Sequence, residues 1–257
     1  MLLIVLTTAL FSCGQNKNGT NTPIDNITTP FKIISNAITK SNYSGQEYPI
    51  CFESAFSDST FVKEITTQST TTYSFQTISI GKIKIESGKI IACDPIIMRE
   101  SKSFSNIFPI GEFNVQLAIA KIHNNNRVAY SRIVFSNNPV IKWIYATRQG
   151  EVQIPINDTT LYCYSVDAGQ GLFIDSIANF AFSQKSQTQW NATFADSKWV
   201  SPNFFGCLSS FDNYNLAVFN TGYGDGCYGS FIGLDKDNKI CRLLTDFGFV
   251  RWWENKK

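Results

Sequence analysis

The sequence predicts a β-rich α+β fold, in which a single domain is built of mostly antiparallel strands with few short helices. Threonine, serine, isoleucine, valine and aromatic residues dominate the composition, and these residue types favour strands over helices. Short runs of alternating apolar and polar residues recur along the chain, separated by turns rich in glycine, proline, asparagine or aspartate. The chain of 257 residues is long enough to bury a substantial core.

The N-terminal segment is predicted to direct export. Residues 1–12 form an uncharged apolar run that is too short to span a bilayer, and Cys13 follows them directly. This pattern resembles a bacterial lipoprotein signal, which implies that Cys13 is lipidated and anchors the mature chain to the membrane. The alternative is a secretory signal peptide followed by an incidental cysteine, and both interpretations predict export. Residues 13–30, rich in Asn, Thr, Gly and Pro, predict a flexible tether, and 31–257 then form the globular domain.

The first elements of this domain are predicted from spacing. In residues 31–39, Phe31, Ile34 and Ile38 share one face of a short amphipathic helix. The polar run 67–75 predicts an edge strand or a loop. From Ile78 onward, alternation predicts strands in quick succession, and Asp94 with the following proline ends the second of them. These predicted strands cover residues 78–86, 89–93, 113–122, 127–135, 140–146, 161–166, 214–220, 227–234 and 239–245.

Three finer expectations concern these strands and the one later helix. In 113–122 the apolar residues alternate on one face, whereas in 127–135 Val128 and Tyr130 are predicted to share a face. Residues 123–126 have the length and composition of a hairpin loop between those two strands. Near 174–183 a helix is predicted to begin after Asp175, whose side chain is a suitable N-cap.

Charge, histidine and cysteine content exclude several classes of protein. The net charge of +2, without any basic run interleaved with aromatic residues, predicts no nucleic-acid partner. The only histidine, His123, lies in a polar turn, which argues against both a Ser/His/Asp triad and a Cys/His zinc site. After Cys13, six cysteines remain and allow fifteen disulfide connectivities, but buried thiols, as at Cys93 and Cys163, are the alternative. These six are Cys51, Cys93, Cys163, Cys207, Cys227 and Cys241.

Residues 220–248 hold six of the sixteen glycines, together with four aspartates. Residues 224–229 match G-x-G-x-x-G, but the residues that follow predict a strand rather than the helix that a dinucleotide site requires. An EF-hand loop beginning at Asp235 is not predicted. Lys239 and Ile240 occupy its fifth and sixth positions, where an oxygen ligand and a glycine are required. A hairpin turn is favoured there, and Asp235 is kept only as a weak metal candidate.

A second cluster of aspartates and glycines lies at residues 167–175. Asp167 and Asp175, together with Asp225, are candidate carboxylates for acid–base catalysis or for a divalent cation. The alternative is that these aspartates cap or brace the loops. No cofactor is predicted beyond this possible cation.

The order of short motifs along the chain resembles the bacterial family called domain of unknown function 4241. The resemblance covers roughly residues 78–248, and it implies a fold-level grouping without a settled activity. Within it, the residues taken as structural motif are Asp94, Gly222, Gly224, Gly226, Tyr228 and Asp246. The residues that carry the resemblance are Ser87, Gly88, Asp94, Pro95, Gly111, Glu112, Phe113, Arg127, Val128, Ala129, Trp143, Asp167, Gly169, Phe173, Asp175, Gly222, Tyr223, Gly224, Asp225, Gly226, Tyr228, Gly233, Leu234, Asp235, Thr245, Asp246 and Phe247.

Two functions follow as hypotheses. The first is a lipoprotein of the bacterial cell envelope, anchored through Cys13 on the periplasmic side or at the outer membrane. It would act as a binding or interaction module for a protein or a small ligand. The second is a cation-dependent hydrolase that uses Asp167, Asp175 and Asp225. The absence of a recognisable catalytic set in the sequence favours the first, non-enzymatic hypothesis.

Overall fold

The computed structural model describes residues 31–34, 51–57, 60–66, 69–122, 125–156, 160–185 and 204–249. The predicted signal peptide, the tether with Cys13, and His123 lie outside these residues. Within them the chain forms two antiparallel sheets with short helices on their outer faces, which confirms the predicted β-rich fold. Among the described residues, no helix combines the length and the apolar content needed to cross a membrane.

The described part of the chain contains thirteen strands and three short helices. The helices are α1 (Cys51–Ser54), a 3-10 helix (Pro95–Glu100) and α2 (Ser176–Ser183). The strands are β1 (Phe31–Ile34), β2 (Thr60–Thr66), β3 (Ser69–Ile85), β4 (Ile90–Cys93), β5 (Gly111–Ile122), β6 (Asn125–Val134), β7 (Lys142–Tyr145), β8 (Cys163–Val166), β9 (Gln170–Asp175), β10 (Gly206–Phe211), β11 (Tyr214–Asn220), β12 (Gly226–Leu234) and β13 (Ile240–Asp246).

Nine strands form the larger sheet and four form the smaller one. The larger sheet runs in the order β1-β2-β3-β5-β6-β13-β12. Both β7 and β8 then pair with the remaining edge of β12, β8 with its first half and β7 with its second. The smaller sheet has the order β10-β11-β9-β4.

The main core lies between the two sheets. It contains Val115 and Leu117 from the larger sheet and Phe173 and Phe219 from the smaller one, all buried. On the outer face of the smaller sheet, alternate residues such as Leu172 pack against the 3-10 helix and α2 in a second cluster. Because both faces are covered, strands β4, β9 and β11 read as almost continuous apolar runs.

Two β-bulges decide which side chains face the main core. In β3, a bulge at Gly81 (φ 118°) shifts the alternation of inward and outward side chains by one residue. Even-numbered Ile78 and Ile80 before the bulge and odd-numbered Ile83 and Ile85 after it therefore all face the main core. In β6, Ala129 is the extra residue, because Ala118 pairs with Tyr130 and Ile119 with Val128. Val128 therefore faces the main core and Tyr130 the opposite face of the sheet. The prediction that Val128 and Tyr130 share a face is wrong.

Most predicted elements are present, including α2 with Asp175 as its N-cap. The N-terminal helix prediction needs correction. Phe31–Ile34 is strand β1, not the start of a helix, and it pairs with β2. In the run 67–75, the described residues 69–75 form the start of strand β3. Ser69–Ser74 pair with β2, and the pairing of β3 with β5 begins only at Ser74. The strand alternative is therefore present there, with a partner on one side over most of the run.

Candidate functional site

Two glycine-containing loops meet at one end of the sandwich. The first, residues 167–169, joins β8 to β9, and the second, residues 221–225, joins β11 to β12. Thr221 donates its amide to the Gly169 carbonyl at 3.1 Å, and the Asp225 carboxylate accepts from the Gly169 amide at 3.2 Å. A Cβ atom on Gly169 would lie 3.7 Å from the Gly224 Cα atom, so the two backbones are in contact. These contacts fix the position of one loop relative to the other.

The second loop is a tight turn closed by its own hydrogen bonds. The Gly224 amide donates to the Thr221 carbonyl at 2.9 Å, and the Thr221 hydroxyl donates to the Gly224 carbonyl at 2.8 Å. The Tyr228 hydroxyl also donates to the Gly224 carbonyl, at 2.7 Å. Gly222 (φ 61°) and Gly224 (φ 109°) adopt backbone conformations that favour glycine. A Cβ atom on Gly222 would also lie 2.8 Å from the Phe249 ring.

Strand β12 begins directly after this turn and is cross-linked to β8. Gly226 is its first residue, where a Cβ atom would lie 2.9 Å from the Tyr228 ring. Cys227 forms a disulfide with Cys163, with a Cα–Cα distance of 5.4 Å. The interpretation of Cys163 as a core thiol is wrong, because its side chain is directed to this cross-link and it is only half-buried. Cys207 lies on β10.

The other cysteines that were predicted as possible disulfide partners include three buried, unpaired thiols: Cys51, Cys93 and Cys241. Burial raises the pKa of Cys93 to about 12 and that of Cys241 to about 11, and it raises the pKa of Cys51 still further. These three thiols stay protonated at neutral pH, so they lack the thiolate character of a nucleophile.

Asp94 holds the first loop in place. It follows β4, is 2% exposed, and caps the 3-10 helix by accepting from the Ile96 amide at 2.6 Å. Its second oxygen accepts from two successive amides, those of Asp167 at 2.7 Å and Ala168 at 2.8 Å. Asp94 therefore joins the end of β4 to the turn that leads into the neighbouring strand β9.

Asp175 makes the same arrangement at the other end of these two strands. It is 1% exposed, it ends β9, and one oxygen caps α2 by accepting from the Ile177 amide at 2.8 Å. The other oxygen accepts from the amides of Glu86 at 3.1 Å and Ser87 at 2.9 Å, and from the Ser87 hydroxyl at 2.7 Å. Each of the two strands thus ends in an aspartate that caps a following helix and fixes the turn before its partner strand. We call Asp94 and Asp175 the reciprocal braces.

The three predicted carboxylates are not gathered at one point. Asp175 lies five residues along β9 from Gln170, which corresponds to about 17 Å. Asp167 is exposed and contributes its backbone amide, whereas Asp225 is exposed and holds Gly169. Among the described residues, no group of three or more His, Cys, Asp or Glu side chains is placed to hold a metal ion. The geometry therefore supplies no convergent carboxylates for the cation-dependent hydrolase.

Asp235 and Asp246 also hold turns. Asp235 accepts from the Asn138 side chain at 2.7 Å and from the amides of Asp237 at 2.9 Å and Lys239 at 3.0 Å. Asp246, at the end of β13, accepts from the Gly248 amide at 2.8 Å. This last turn directs Phe247 into the main core. It also sets Phe249 beneath the second loop, where its ring stacks on Tyr223.

The acid sensitivity of the β12–β13 turn is expected to depend on Asp235. The hydrogen bond from Asn138, followed by those from the Lys239 and Asp237 amides, lowers the pKa of Asp235. Since the folded-state pKa lies below the unfolded value of about 3.9, the stabilisation is present above pH 4 and is lost as the pH falls through the folded-state pKa. We expect Asp235→Asn to remove this component from the acid limb of a stability–pH curve measured by urea unfolding. An identical acid limb in both proteins would contradict the assignment.

A small pocket opens beside the two loops. Its volume is about 170 Å³. Among the described residues of its wall, Arg127 is the only charged one, and its guanidinium carbon lies 6.0 Å from the centre of the Tyr223 ring. Tyr223 is 70% exposed and stacks on Phe249 with ring centroids 4.5 Å apart. The pocket is lined by Asn126, Arg127, Val128, Gly169, Phe204, Phe205, Asn220, Gly222, Tyr223 and Gly224. We call it the loop pocket.

Local sequence patterns do not single out Arg127 or Tyr223 as candidate site residues. Both occur only as members of the ordered motifs, whereas the candidates for chemistry are aspartates. The available signal was the presence of an arginine in a motif otherwise made of apolar and turn residues. Arg127 lies in strand β6, two residues before the bulge residue Ala129. Its side chain lines the loop pocket.

These observations define a two-sheet antiparallel domain whose glycine- and aspartate-rich loops are braced around a small polar pocket. A family model described as "Protein of unknown function (DUF4241)" matches residues 83–245, and the chain belongs to this family. The match lies within the range 78–248 that the motif order predicted. Comparisons with curated proteins and with solved structures each gave no match.

Proposed function

We propose that this protein is a membrane-anchored binding module of the bacterial cell envelope, and that the loop pocket is its ligand site. The observation that carries the proposal is the construction of the loop pocket. The family's two glycine- and aspartate-containing loops contribute Gly169, Gly222, Tyr223 and Gly224 to its wall. The side chains of Asp94 and Asp225 hold these loops by accepting hydrogen bonds from backbone amides. Such an arrangement presents a rigid concave surface, which is the general property of a binding site.

The composition of the wall favours binding over hydrolysis. Carboxylates that act as a general acid or base, or that hold a cation, have to face the substrate. None of the described residues that line the loop pocket is an aspartate or a glutamate. The buried carboxylates of Asp94 and Asp175 each accept several hydrogen bonds from the protein itself. We therefore assign these aspartates a structural role rather than a catalytic or cation-binding one.

The placement in the cell envelope is supported by two features. The first is the apolar segment 1–12 followed by Cys13. The second is the disulfide between Cys163 and Cys227, because disulfides persist in oxidising compartments such as the periplasm and the cell surface. Both features favour an exported chain, and Cys13 after the apolar segment favours its attachment to a membrane.

Lipid attachment is tested by metabolic labelling with palmitate in a bacterial host. The full chain is expected to take up label and to sediment with membranes. In the Cys13→Ser variant the label is expected to disappear, and a Cys207→Ser variant serves as a matched cysteine substitution that keeps it. Labelling that is equal in the Cys13→Ser variant would contradict the anchor.

Ligand binding at the loop pocket is tested by titrating the full chain with small neutral and charged fragments while recording amide chemical shifts. We expect saturable shifts confined to the amides of Gly169, Gly222 and Gly224. Tyr223→Ala is expected to weaken the binding fragments by removing one wall. Phe180→Ala is the matched control, because Phe180 is 68% exposed on α2, outside the loop pocket. If no fragment shifts these amides, the loop pocket is not the ligand site.

A further inference from the structure

We infer that the loop pocket selects a small anionic group, a carboxylate or a phosphate, and that Arg127 is the residue that binds it. The inference rests on the proposed function and adds the chemical class of the ligand. Three properties support it: the charge of the wall, the hydrogen bonding of the Arg127 side chain, and the size of the loop pocket.

Among the described residues, the Arg127 guanidinium has a cation–π contact with Tyr223 but no hydrogen bond or salt bridge. No carboxylate in the described residues forms a salt bridge with it, and its buried Nε atom has no hydrogen-bond partner among them. The two terminal nitrogens of the guanidinium are not among the enclosed atoms, and no described residue accepts a hydrogen bond from them. They can bind a carboxylate or phosphate in the loop pocket, because the planar fork of a guanidinium matches the two oxygens of such a group.

The rest of the wall agrees with an anion. Within the part of the wall that the structure describes, Arg127 is the only charged residue, so this part carries one positive charge and no negative charge. Gly222 and Gly224 bring backbone to the wall without side chains, and a Cβ atom on Gly224 would meet nothing within 4 Å. The backbone is therefore open to close approach by a ligand at that point. The guanidinium carbon lies over the Tyr223 ring, 6.0 Å from its centre, which is at the limit of a cation–π contact.

The size of the loop pocket limits what it can enclose. Its volume of about 170 Å³ lies below the range of about 300 to 1,000 Å³ that is typical of pockets for drug-sized molecules. A small free anion, or a single anionic group at the end of a larger ligand, fits this volume. The shared chemistry has two sources in a cell envelope, namely a soluble metabolite and the phosphate headgroup of a lipid.

The test compares acetate with acetamide, which has the same shape and no charge, and adds inorganic phosphate. Amide shifts of the full chain are recorded at constant ionic strength set with sodium chloride. We expect acetate or phosphate to give saturable shifts at Gly222 and Gly224, and acetamide to bind at least about tenfold more weakly, since a hydrogen bond to a charged group contributes about 1.5 to 3 kcal/mol.

Substitutions of Arg127 test whether this residue binds the anion. Arg127→Ala is expected to weaken anion binding by at least about tenfold, and Arg127→Lys by less, because the charge is kept while the fork is lost. Lys142→Ala is the matched control, since Lys142 is an exposed cation that pairs with Leu234 at the far end of β12. Equal binding of acetate and acetamide, or unchanged anion binding in Arg127→Ala, would overturn the inference.

Vesicles distinguish the two sources. With the Cys13→Ser chain, Arg127-dependent binding to phosphatidylglycerol vesicles but not to phosphatidylcholine vesicles would identify a lipid headgroup, and Arg127-dependent binding of free phosphate or acetate alone would identify a soluble anion. Both outcomes support the inference. If neutral fragments bind at the loop pocket while no anion binds more tightly, the binding module stands and the anion inference fails. If nothing binds there, both fail.

Discussion

We expect Asp175→Ala to lower the free energy of unfolding by about 4 kcal/mol, because the substitution removes an N-cap and leaves buried backbone donors without acceptors. The lost bonds are those to the amides of Ile177, Glu86 and Ser87 and to the Ser87 hydroxyl. Urea unfolding followed by circular dichroism measures the change. The loss is expected to affect both the start of α2 and the turn before β4, because a single carboxylate serves both.

Asp167→Ala is the matched control for this substitution. Asp167 is exposed, and the hydrogen bond that fixes its position uses its backbone amide, which alanine retains. We expect its unfolding free energy to stay within about 0.5 kcal/mol of the wild-type value. If Asp175→Ala were no more destabilising than Asp167→Ala, the reciprocal braces would not have the structural role assigned to them.

The second large effect is expected from loss of the Cys163–Cys227 disulfide. The two cysteines are 64 residues apart in sequence, and constraint of a loop of that length in the unfolded chain corresponds to about 4 kcal/mol in the chain-entropy account. We expect the Cys163→Ser, Cys227→Ser double variant to lose stability of this order in urea unfolding. The loss is expected to begin at β8, which pairs with the edge of β12.

A reducing agent provides the control. Dithiothreitol is expected to lower the midpoint of the wild-type protein to that of the double variant and to leave the variant unchanged. Alkylation after denaturation without reduction is expected to label Cys51, Cys93 and Cys241 and to spare Cys163 and Cys227. Full labelling of Cys163 and Cys227 in protein isolated without a reducing agent would contradict the cross-link.

Local sequence patterns predicted most strands and α2, because alternation, turn residues and a capping aspartate act within a few residues. They failed where distant segments decide the outcome. Phe31–Ile34 has the spacing of a helix face, but pairing with β2 makes it a strand. Ala129 carries no local sign of a bulge, since the bulge arises from the register between β5 and β6.

The candidate site shows the same division. Aspartates next to glycines were correctly singled out as positions of special geometry, but the sequence left open whether Asp167, Asp175 and Asp225 meet. Their separation is set by the length of β9 and by its pairing with β4, which are properties of the folded sheet. Arg127 and Tyr223 come together from β6 and from the β11–β12 loop, nearly a hundred residues apart, so no local pattern predicts their contact.

The hydrogen bonds of Asp94, Asp175 and Asp225 to backbone amides predict that the aspartates of the family motif hold loops together rather than a cation. The most direct measurement is the melting temperature of the wild-type protein and of Asp225→Asn, each with Mg²⁺, Ca²⁺ or Zn²⁺ and with a chelator. Asparagine keeps an oxygen that can accept from the Gly169 amide, so we predict that the two proteins melt alike and that no cation raises either value. A cation-dependent rise in the wild-type melting temperature that disappears in Asp225→Asn would contradict the claim.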